Sequence, residues 1–146
     1  MPEGPAGPVL GIDYGTRTIG LALGHPLLGT ARPLEPLRQR SGTPPVSALD
    51  AVLEHWRPAC IVIGLPLDSD GGDTAMSRLI REFADELRSR HPDIQLELHD
   101  ERLSSVAAGE RFADSRAAGQ SRRKDKRLLD SLAAAVIVES WMSNRG

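Results

Sequence analysis

The sequence predicts a single α/β domain built on a five-stranded mixed sheet with helices on both faces. Three observations support this prediction. Three short strand-like segments follow one another near the N-terminus, later strand-like segments alternate with helical ones, and one internal strand is apolar throughout. Strands that alternate with helices pair in parallel, and an apolar strand is covered on both faces. The 146 residues are enough for one such domain.

The opening strands are expected to form an antiparallel meander. Residues 9–13 are an apolar strand, a short turn follows, and residues 19–24 alternate between large and small side chains. A short turn joins antiparallel neighbours. Residues 30–34 predict a third strand, and Pro33 places it at an edge because proline cannot donate a ladder hydrogen bond.

Helices and strands then alternate. Residues 46–56 predict a helix that Pro58 ends, and residues 60–65 are the apolar strand, which contains the single cysteine, Cys60, as a buried residue. A polar loop over residues 68–73 leads into the clearest amphipathic helix. Its apolar positions are Met76, Leu79, Ile80, Phe83, Ala84 and Leu87.

The last third of the chain begins with a strand over residues 94–99, whose alternation predicts one buried face. A helix is expected over residues 104–113, a mobile basic loop over residues 117–126, and a nearly all-apolar helix over residues 127–142 that packs on the sheet. This order of elements suits the RNase H-like architecture. The domain is expected to span residues 9–142, with a disordered lead-in at 1–8 and a flexible C-terminus at 143–146.

Charge is distributed unevenly along the chain. Between residues 101 and 127 there are eight basic and four acidic residues, a local charge of +4, whereas the whole chain carries −2. Such asymmetry suits an anionic partner. One cysteine excludes an internal disulfide and a thiolate zinc cluster, and no apolar run is long enough to span a membrane. We therefore expect a cytoplasmic protein.

Three carboxylates stand at positions that matter for chemistry. Asp13 closes the first strand, Glu101 follows the fifth, and Asp130 lies in the last predicted helix. At 3.6 residues per turn, four apolar residues lie within about 60° of Asp130, so an ionised carboxylate there needs a partner or a metal. Those neighbours are Ala133, Ala134, Ile137 and Trp141.

Each carboxylate alone also has a simpler interpretation. Asp13 suits an ordinary turn, Glu101 could form a surface ion pair with Arg102, and Asp130 could cap the last helix. The three together, at strand ends and on a facing helix, are better explained as a catalytic cation site.

Clustered carboxylates can hold two divalent ions about 3.5 to 4 Å apart, an arrangement that hydrolyses phosphodiester bonds. Hard oxygen ligands favour Mg²⁺ or Mn²⁺ over zinc. We therefore expect Asp13, Glu101 and Asp130 to bind Mg²⁺ or Mn²⁺, with two ions when substrate is present.

Four segments follow one another in a specific order: GIDYGTRTIGLAL, IVIGLPLDSDG, HDERLSS and LLDSLAAAVIVESW. In this order they resemble the YqgF family, also called RuvX, over nearly the whole of residues 9–142. The resemblance implies the RNase H-like fold of RuvC-type resolvases. It also implies a nuclease that processes the 5′ end of the small-subunit rRNA precursor, with Holliday junction resolution in recombination or repair as the alternative.

By motif, the family's acidic positions fall on Asp13, Glu101 and Asp130. The strand that ends in GLPL carries no glutamate, whereas RuvC-type resolvases place an acidic ligand after that strand, and Arg127 stands about one turn before Asp130. The number of metal ions and the participation of a fourth carboxylate stay open.

Basic residues close to the acidic positions are candidate substrate contacts. Arg17 and Arg102 could contact the scissile phosphate, and a basic run just before Asp130 could hold the backbone of structured RNA or branched DNA. Charge runs are also often solvated surface. The run comprises Arg122, Arg123, Lys124, Lys126 and Arg127.

Two other classes of protein remain as alternatives. GIDYGT also resembles the phosphate-binding opening of actin, heat-shock chaperone and sugar-kinase ATPases, but those proteins close two such lobes around a nucleotide, and 146 residues supply one. A nucleic-acid-binding module without activity is the other alternative. A resolvase would require a symmetric homodimer, and the sequence does not distinguish a monomer from a dimer.

Overall fold

The computed structural model describes residues 7–40, 45–103 and 127–145. Its strands form one mixed sheet in the order β3, β2, β1, β4, β5. The first three pair antiparallel, and β4 and β5 run parallel to β1, so the predicted mixed sheet is confirmed and β3 lies at an edge. The strands are β1 Val9–Tyr14, β2 Thr18–His25, β3 Thr30–Arg38, β4 Cys60–Leu65 and β5 Gln95–Asp100.

Helices cover both faces of the sheet. On one face, α1 (Val46–Trp56) and α2 (Ala75–Arg90) pack on the side chains of Leu10 and Ile12. On the other face, α3 (Leu132–Arg145) packs on Val9, Ala22 and Val62. Cys60 is fully buried in this second core, as its sequence context predicted. No described helix is both long and apolar enough to cross a membrane.

Helix α2 begins at a reciprocal cap. The backbone N–H of Ser77 donates to Thr74 Oγ1 at 3.0 Å, and the backbone N–H of Thr74 donates to Ser77 Oγ at 2.7 Å. Such a box satisfies two amides that the first helical turn leaves without partners. One predicted core position of α2 is wrong, because Leu79 is exposed.

Glycines let α3 lie directly on the sheet. A Cβ added at Gly11 would stand 2.0 Å from Val138 Cγ2, and one added at Gly64 would stand 2.5 Å from Ile137 Cδ1. The side-chain positions of Val9, Gly11 and Asp13 share this face because alternate residues of a strand point to the same side. The α3 face therefore carries Asp13.

The last helix and strand β5 differ in detail from the prediction. The all-apolar helix is preceded by a 3₁₀ turn, Arg127–Ser131, and continues to Arg145 rather than ending at 142. The polar face of β5 is partly covered: Trp141 Nε1 donates to a carboxylate oxygen of Glu97 at 3.3 Å and His99 is buried, whereas Gln95 is exposed. The predicted helix over 104–113 and the basic loop over 117–126 lie outside the described residues.

Candidate active site

Asp13 lies at the carboxyl end of β1, partly buried, on the sheet face that α3 covers. Its Cα partner across the antiparallel ladder is Gly20 of β2. Burial raises the pKa of the Asp13 carboxyl above its ordinary value, because the ionised form loses hydration there. A desolvated carboxylate is a functional-site candidate when a physical cause and a position at a strand end coincide.

Glu101 follows β5 directly and begins a 3₁₀ turn, Glu101–Leu103. Its Cγ lies 3.2 Å from where a Cβ of Gly64 would stand, so its side chain passes over the end of β4. Burial raises the pKa of Glu101, and the negative charges of Asp13 and Asp100 raise it further. Because β1, β4 and β5 are parallel, they end at the same edge, where Asp13 and Glu101 come together.

Asp130 reaches this edge by a different route. It lies in the 3₁₀ turn Arg127–Ser131, and its backbone oxygen stands 2.2 Å from where a Cβ of Gly20 would be. The neighbouring Ser131 Oγ, fully buried, accepts a hydrogen bond from the backbone N–H of Leu21 at 3.0 Å. The turn is therefore fastened to β2 beside the ladder partner of Asp13.

The predicted environment of Asp130 is wrong. The residue is exposed, and so is Ala133, whereas Ala134, Ile137 and Trp141 are buried. A 3₁₀ turn has 3.0 residues per turn rather than 3.6, so the α-helical angles do not carry back through the turn to residue 130. The desolvation argument thus applies to Asp13 and Glu101 and not to Asp130.

The donor chemistry of this edge fits a hard divalent cation. Asp13 and Glu101 are partly desolvated, they repel each other, and within the described ranges neither side chain has a hydrogen-bond or ion-pair partner. A bound divalent cation would neutralise the repulsion between the two carboxylates and would replace their lost hydration. The described residues do not contain a group of three histidine, cysteine or acidic side chains arranged to bind a metal, so Asp13 and Glu101 form a pair and Asp130 lies beside it.

Arg102 is held by its neighbours rather than left open for a ligand. Its guanidinium binds Asp100 through Nη2 at 2.7 Å and Nε at 3.0 Å, and its Nη1 donates to the backbone oxygen of Ser69 at 3.3 Å. The ion pair that the sequence suggested between Glu101 and Arg102 is replaced by this one with Asp100. Arg102 thereby ties the polar loop after β4 to the end of β5.

The other candidate substrate contacts are only partly described. Arg17 is exposed in the turn between β1 and β2, beside the end of β1. Arg127 begins the 3₁₀ turn that carries Asp130, and only its backbone is described. The remainder of the basic run lies outside the described residues: Arg122, Arg123, Lys124 and Lys126.

Sequence reasoning missed the residues that position the acidic ones. Gly20 and Ser131 fasten the Asp130 turn, and the hydrogen bond from Leu21 to Ser131 joins positions 110 residues apart. The alternation of small and large residues in β2 was visible, but it did not identify what would pack against the small positions. Only the tertiary arrangement assigns them.

Comparison with known proteins agrees with this fold. The family model described as RuvX, Holliday junction resolvase, matches residues 7–144. A protein of Xanthomonas campestris, provisionally named a pre-16S rRNA nuclease, is 45% identical and covers 98% of this chain and 94% of its own. An Edwardsiella ictaluri protein of the same name is 40% identical and covers 94% and 95%.

Solved structures show the same fold at low sequence identity. Thermus thermophilus RuvC bound to a Holliday junction superposes with a TM-score of 0.56 at 19% identity, covering 95% of this chain and 96% of its own. The yeast mitochondrial Holliday junction resolvase gives 0.58 at 14% identity, covering 97% and 80%. The RNase H-like fold of RuvC-type resolvases is thereby confirmed. The chain belongs to the RuvX family.

Proposed function

We propose that the chain is a metal-dependent nuclease that hydrolyses phosphodiester bonds at the 5′ end of precursor 16S rRNA, as part of ribosome biogenesis in the cytoplasm. The observation that carries the proposal is the meeting of Asp13 and Glu101 at one sheet edge, where burial and mutual repulsion raise the pKa of Glu101. The names of the curated relatives support the choice of RNA.

Asp13 and Glu101 would hold Mg²⁺ or Mn²⁺ through carboxylate oxygens, and Asp130, on the adjoining turn, would supply the third ligand. When bound, divalent ions supply an activated water and stabilise the leaving oxygen. Each side chain must lose its proton before it can bind a cation. As the pH is lowered, protons compete with the metal for the carboxylates. Because the pKa values of Asp13 and Glu101 are raised, this loss of metal binding should begin at a higher pH than for ordinary carboxylates.

Substrate would be held through its backbone phosphates. The basic run that ends at Arg127 leads directly into the Asp130 turn, so phosphates bound there would lie close to the acidic edge. Arg17, which is exposed in the turn that follows β1 and Asp13, would contact a backbone phosphate of the nucleic acid. Backbone recognition suits a structured RNA whose shape, rather than its base sequence, is read.

Cleavage of a four-way DNA junction is the alternative that a specific observation favours. Two of the structures that share this fold are Holliday junction resolvases, and the family model carries that description. Paired incision of a junction requires two active sites related by symmetry, hence a homodimer. A mass in solution equal to one chain, at concentrations that support activity, would contradict the resolvase reading.

The proposal is tested with purified protein and three labelled substrates: a 5′-extended 16S rRNA fragment, a single-stranded RNA of the same length and a four-way DNA junction. We expect cleavage of the precursor RNA that requires Mg²⁺ or Mn²⁺ and stops with chelator. Cleavage of the junction alone would favour the resolvase. Tight binding of all three without any cleavage would identify a binding module instead.

A further inference from the structure

A chain of hydrogen bonds from the sheet and from α3 ends on the short turn that Glu101 begins. It joins His99 of β5, Ser140 of α3 and the backbone carbonyl of Leu103, the last residue of the Glu101 turn. His99 is 6% exposed and Ser140 is fully buried. None of these three residues is one of the acidic residues of the candidate active site.

The donor and the acceptor of each hydrogen bond follow from the protons that the side chains carry. The Ser140 hydroxyl donates to Leu103 O at 2.8 Å, and a hydroxyl has a single proton to donate. The 3.0 Å contact between His99 Nε2 and Ser140 Oγ must therefore have the imidazole as donor. The imidazole therefore carries a proton on Nε2, and Ser140 Oγ accepts it. The side-chain amide of Asn144 adds a second bond to Leu103 O at 3.3 Å.

From these contacts we infer that Ser140 is a positioning residue that sets the orientation of Glu101. The bond from Ser140 fixes the end of a three-residue turn whose first residue is Glu101. The same helix is preceded directly by the Asp130 turn. Helix α3 thus contacts or adjoins both turns that carry acidic residues, and Ser140 makes the shorter of its two hydrogen bonds to the Glu101 turn.

The energetic consequence is local to Glu101. Loss of the Ser140 hydroxyl leaves the N–H of the buried His99 without this acceptor, and an unmade buried hydrogen bond is costly. The Leu103 carbonyl loses its 2.8 Å bond and keeps the longer one from Asn144. The turn can relieve that cost by shifting, and a shift moves the Glu101 carboxylate relative to Asp13. Positioning errors of about 1 Å reduce catalysis by about 100-fold. Weaker cation affinity should accompany the lower rate.

This inference rests on the proposed function, because it assumes that Glu101 is a metal ligand. The test compares Ser140→Ala with wild type by calorimetric titration of Mn²⁺ into substrate-free protein and by cleavage of the precursor RNA. We expect Mn²⁺ affinity to fall several-fold and cleavage to fall at least about 10-fold. Asn144→Ala, at an exposed position, should shift both quantities in the same direction by less.

The control is Leu87→Val, a mildly destabilising core truncation in the last turn of α2, on the face of the sheet opposite α3. If Ser140→Ala and Leu87→Val have the same Mn²⁺ affinity while Glu101→Gln loses it, the positioning role is overturned and the proposed function stands. If Glu101→Gln binds Mn²⁺ and cleaves like wild type, Glu101 is not a ligand and both proposals fail.

Discussion

Asp13 and Gly20 face each other across the antiparallel ladder of β1 and β2, and the backbone of Asp130 packs against Gly20. Gly20 therefore lies between Asp13, near the start of the chain, and the backbone of Asp130, near its end, and only a residue without a side chain fits there. The strand register departs from regularity next to Gly20, between Ile19 and Leu21, where Leu21 donates to Ser131. This small region of β2 positions the Asp130 turn beside the strand that carries Asp13.

Gly20→Ala should disable the enzyme. The added Cβ would stand 2.2 Å from the backbone oxygen of Asp130, and a backbone atom cannot rotate away, so the whole turn must move. We expect a loss of about 1–3 kcal/mol in unfolding free energy and a loss of about 100-fold in cleavage rate. Gly7→Ala is the matched control, because its Cβ would meet Ala59 at an ordinary 3.6 Å. Equal activity of the two variants would contradict the role of Gly20.

Ser131→Ala should reduce stability as well as activity. It removes the acceptor of the buried Leu21 N–H, and an unsatisfied buried donor costs about 1–3 kcal/mol. Urea unfolding gives the change in free energy, and cleavage of the precursor RNA at a temperature where both proteins are folded gives the change in activity. A variant as stable as wild type would show that the hydrogen bond does not hold the turn.

Neutralising either of the partly buried carboxylates, Asp13 and Glu101, should stabilise the metal-free protein at neutral pH. The folded-state pKa values of Asp13 and Glu101 are raised, so their favourable contribution to folding is present below the ordinary carboxyl pKa and is lost as pH rises through the folded values. At pH 7 the two charges oppose folding. Asp13→Asn should therefore raise Tm by about 2–4 °C, as a change of about 1 kcal/mol would.

The control for this stabilisation is Asp70→Asn, since Asp70 is an exposed loop acid. Its Tm should match that of wild type at pH 7, and the difference between Asp13→Asn and wild type should shrink as the pH is lowered. A decrease in Tm for Asp13→Asn in chelator would show that Asp13 stabilises the fold, which is the behaviour of a structural turn aspartate.

Replacing Arg122, Arg123 and Lys124 by glutamine should weaken substrate binding and reduce its dependence on salt. Each phosphate contact contributes about 0.7 to 0.9 to the slope of log affinity against log salt, so three contacts would remove about 2 to 3. Arg88→Gln on α2, which removes one ion-paired surface charge, is the control and should leave the slope unchanged. An unchanged slope in the triple variant would place the phosphate contacts elsewhere on the protein.

The elements whose pattern is local were predictable from the sequence. The apolar run of β4 and the periodicity of α2 determine their own burial, and the strand ends located Asp13 and Glu101 correctly at one edge. The environment of Asp130 was not predictable. Helix α3 is apolar on nearly all sides, so periodicity cannot set its rotation, and nothing local distinguishes a 3₁₀ turn from a first α-helical turn at residues 127–131.

The positioning residues were hidden for a related reason. Ser131 and Ser140 are small polar residues within or beside an apolar helix, and each acquires its role from a partner in a distant part of the chain. Arg102 was assigned to the substrate because it stands next to Glu101 in the sequence. Its guanidinium instead binds Asp100.

The most direct test of the central claim is cleavage of the 5′-extended 16S rRNA fragment by wild type, Asp13→Asn and Glu101→Gln at a series of Mg²⁺ concentrations. The account predicts that wild type cleaves only with the metal and that each variant, folded by circular dichroism, loses at least about 100-fold in rate at every concentration. Cleavage by wild type in chelator, or wild-type rates in either variant, would contradict it.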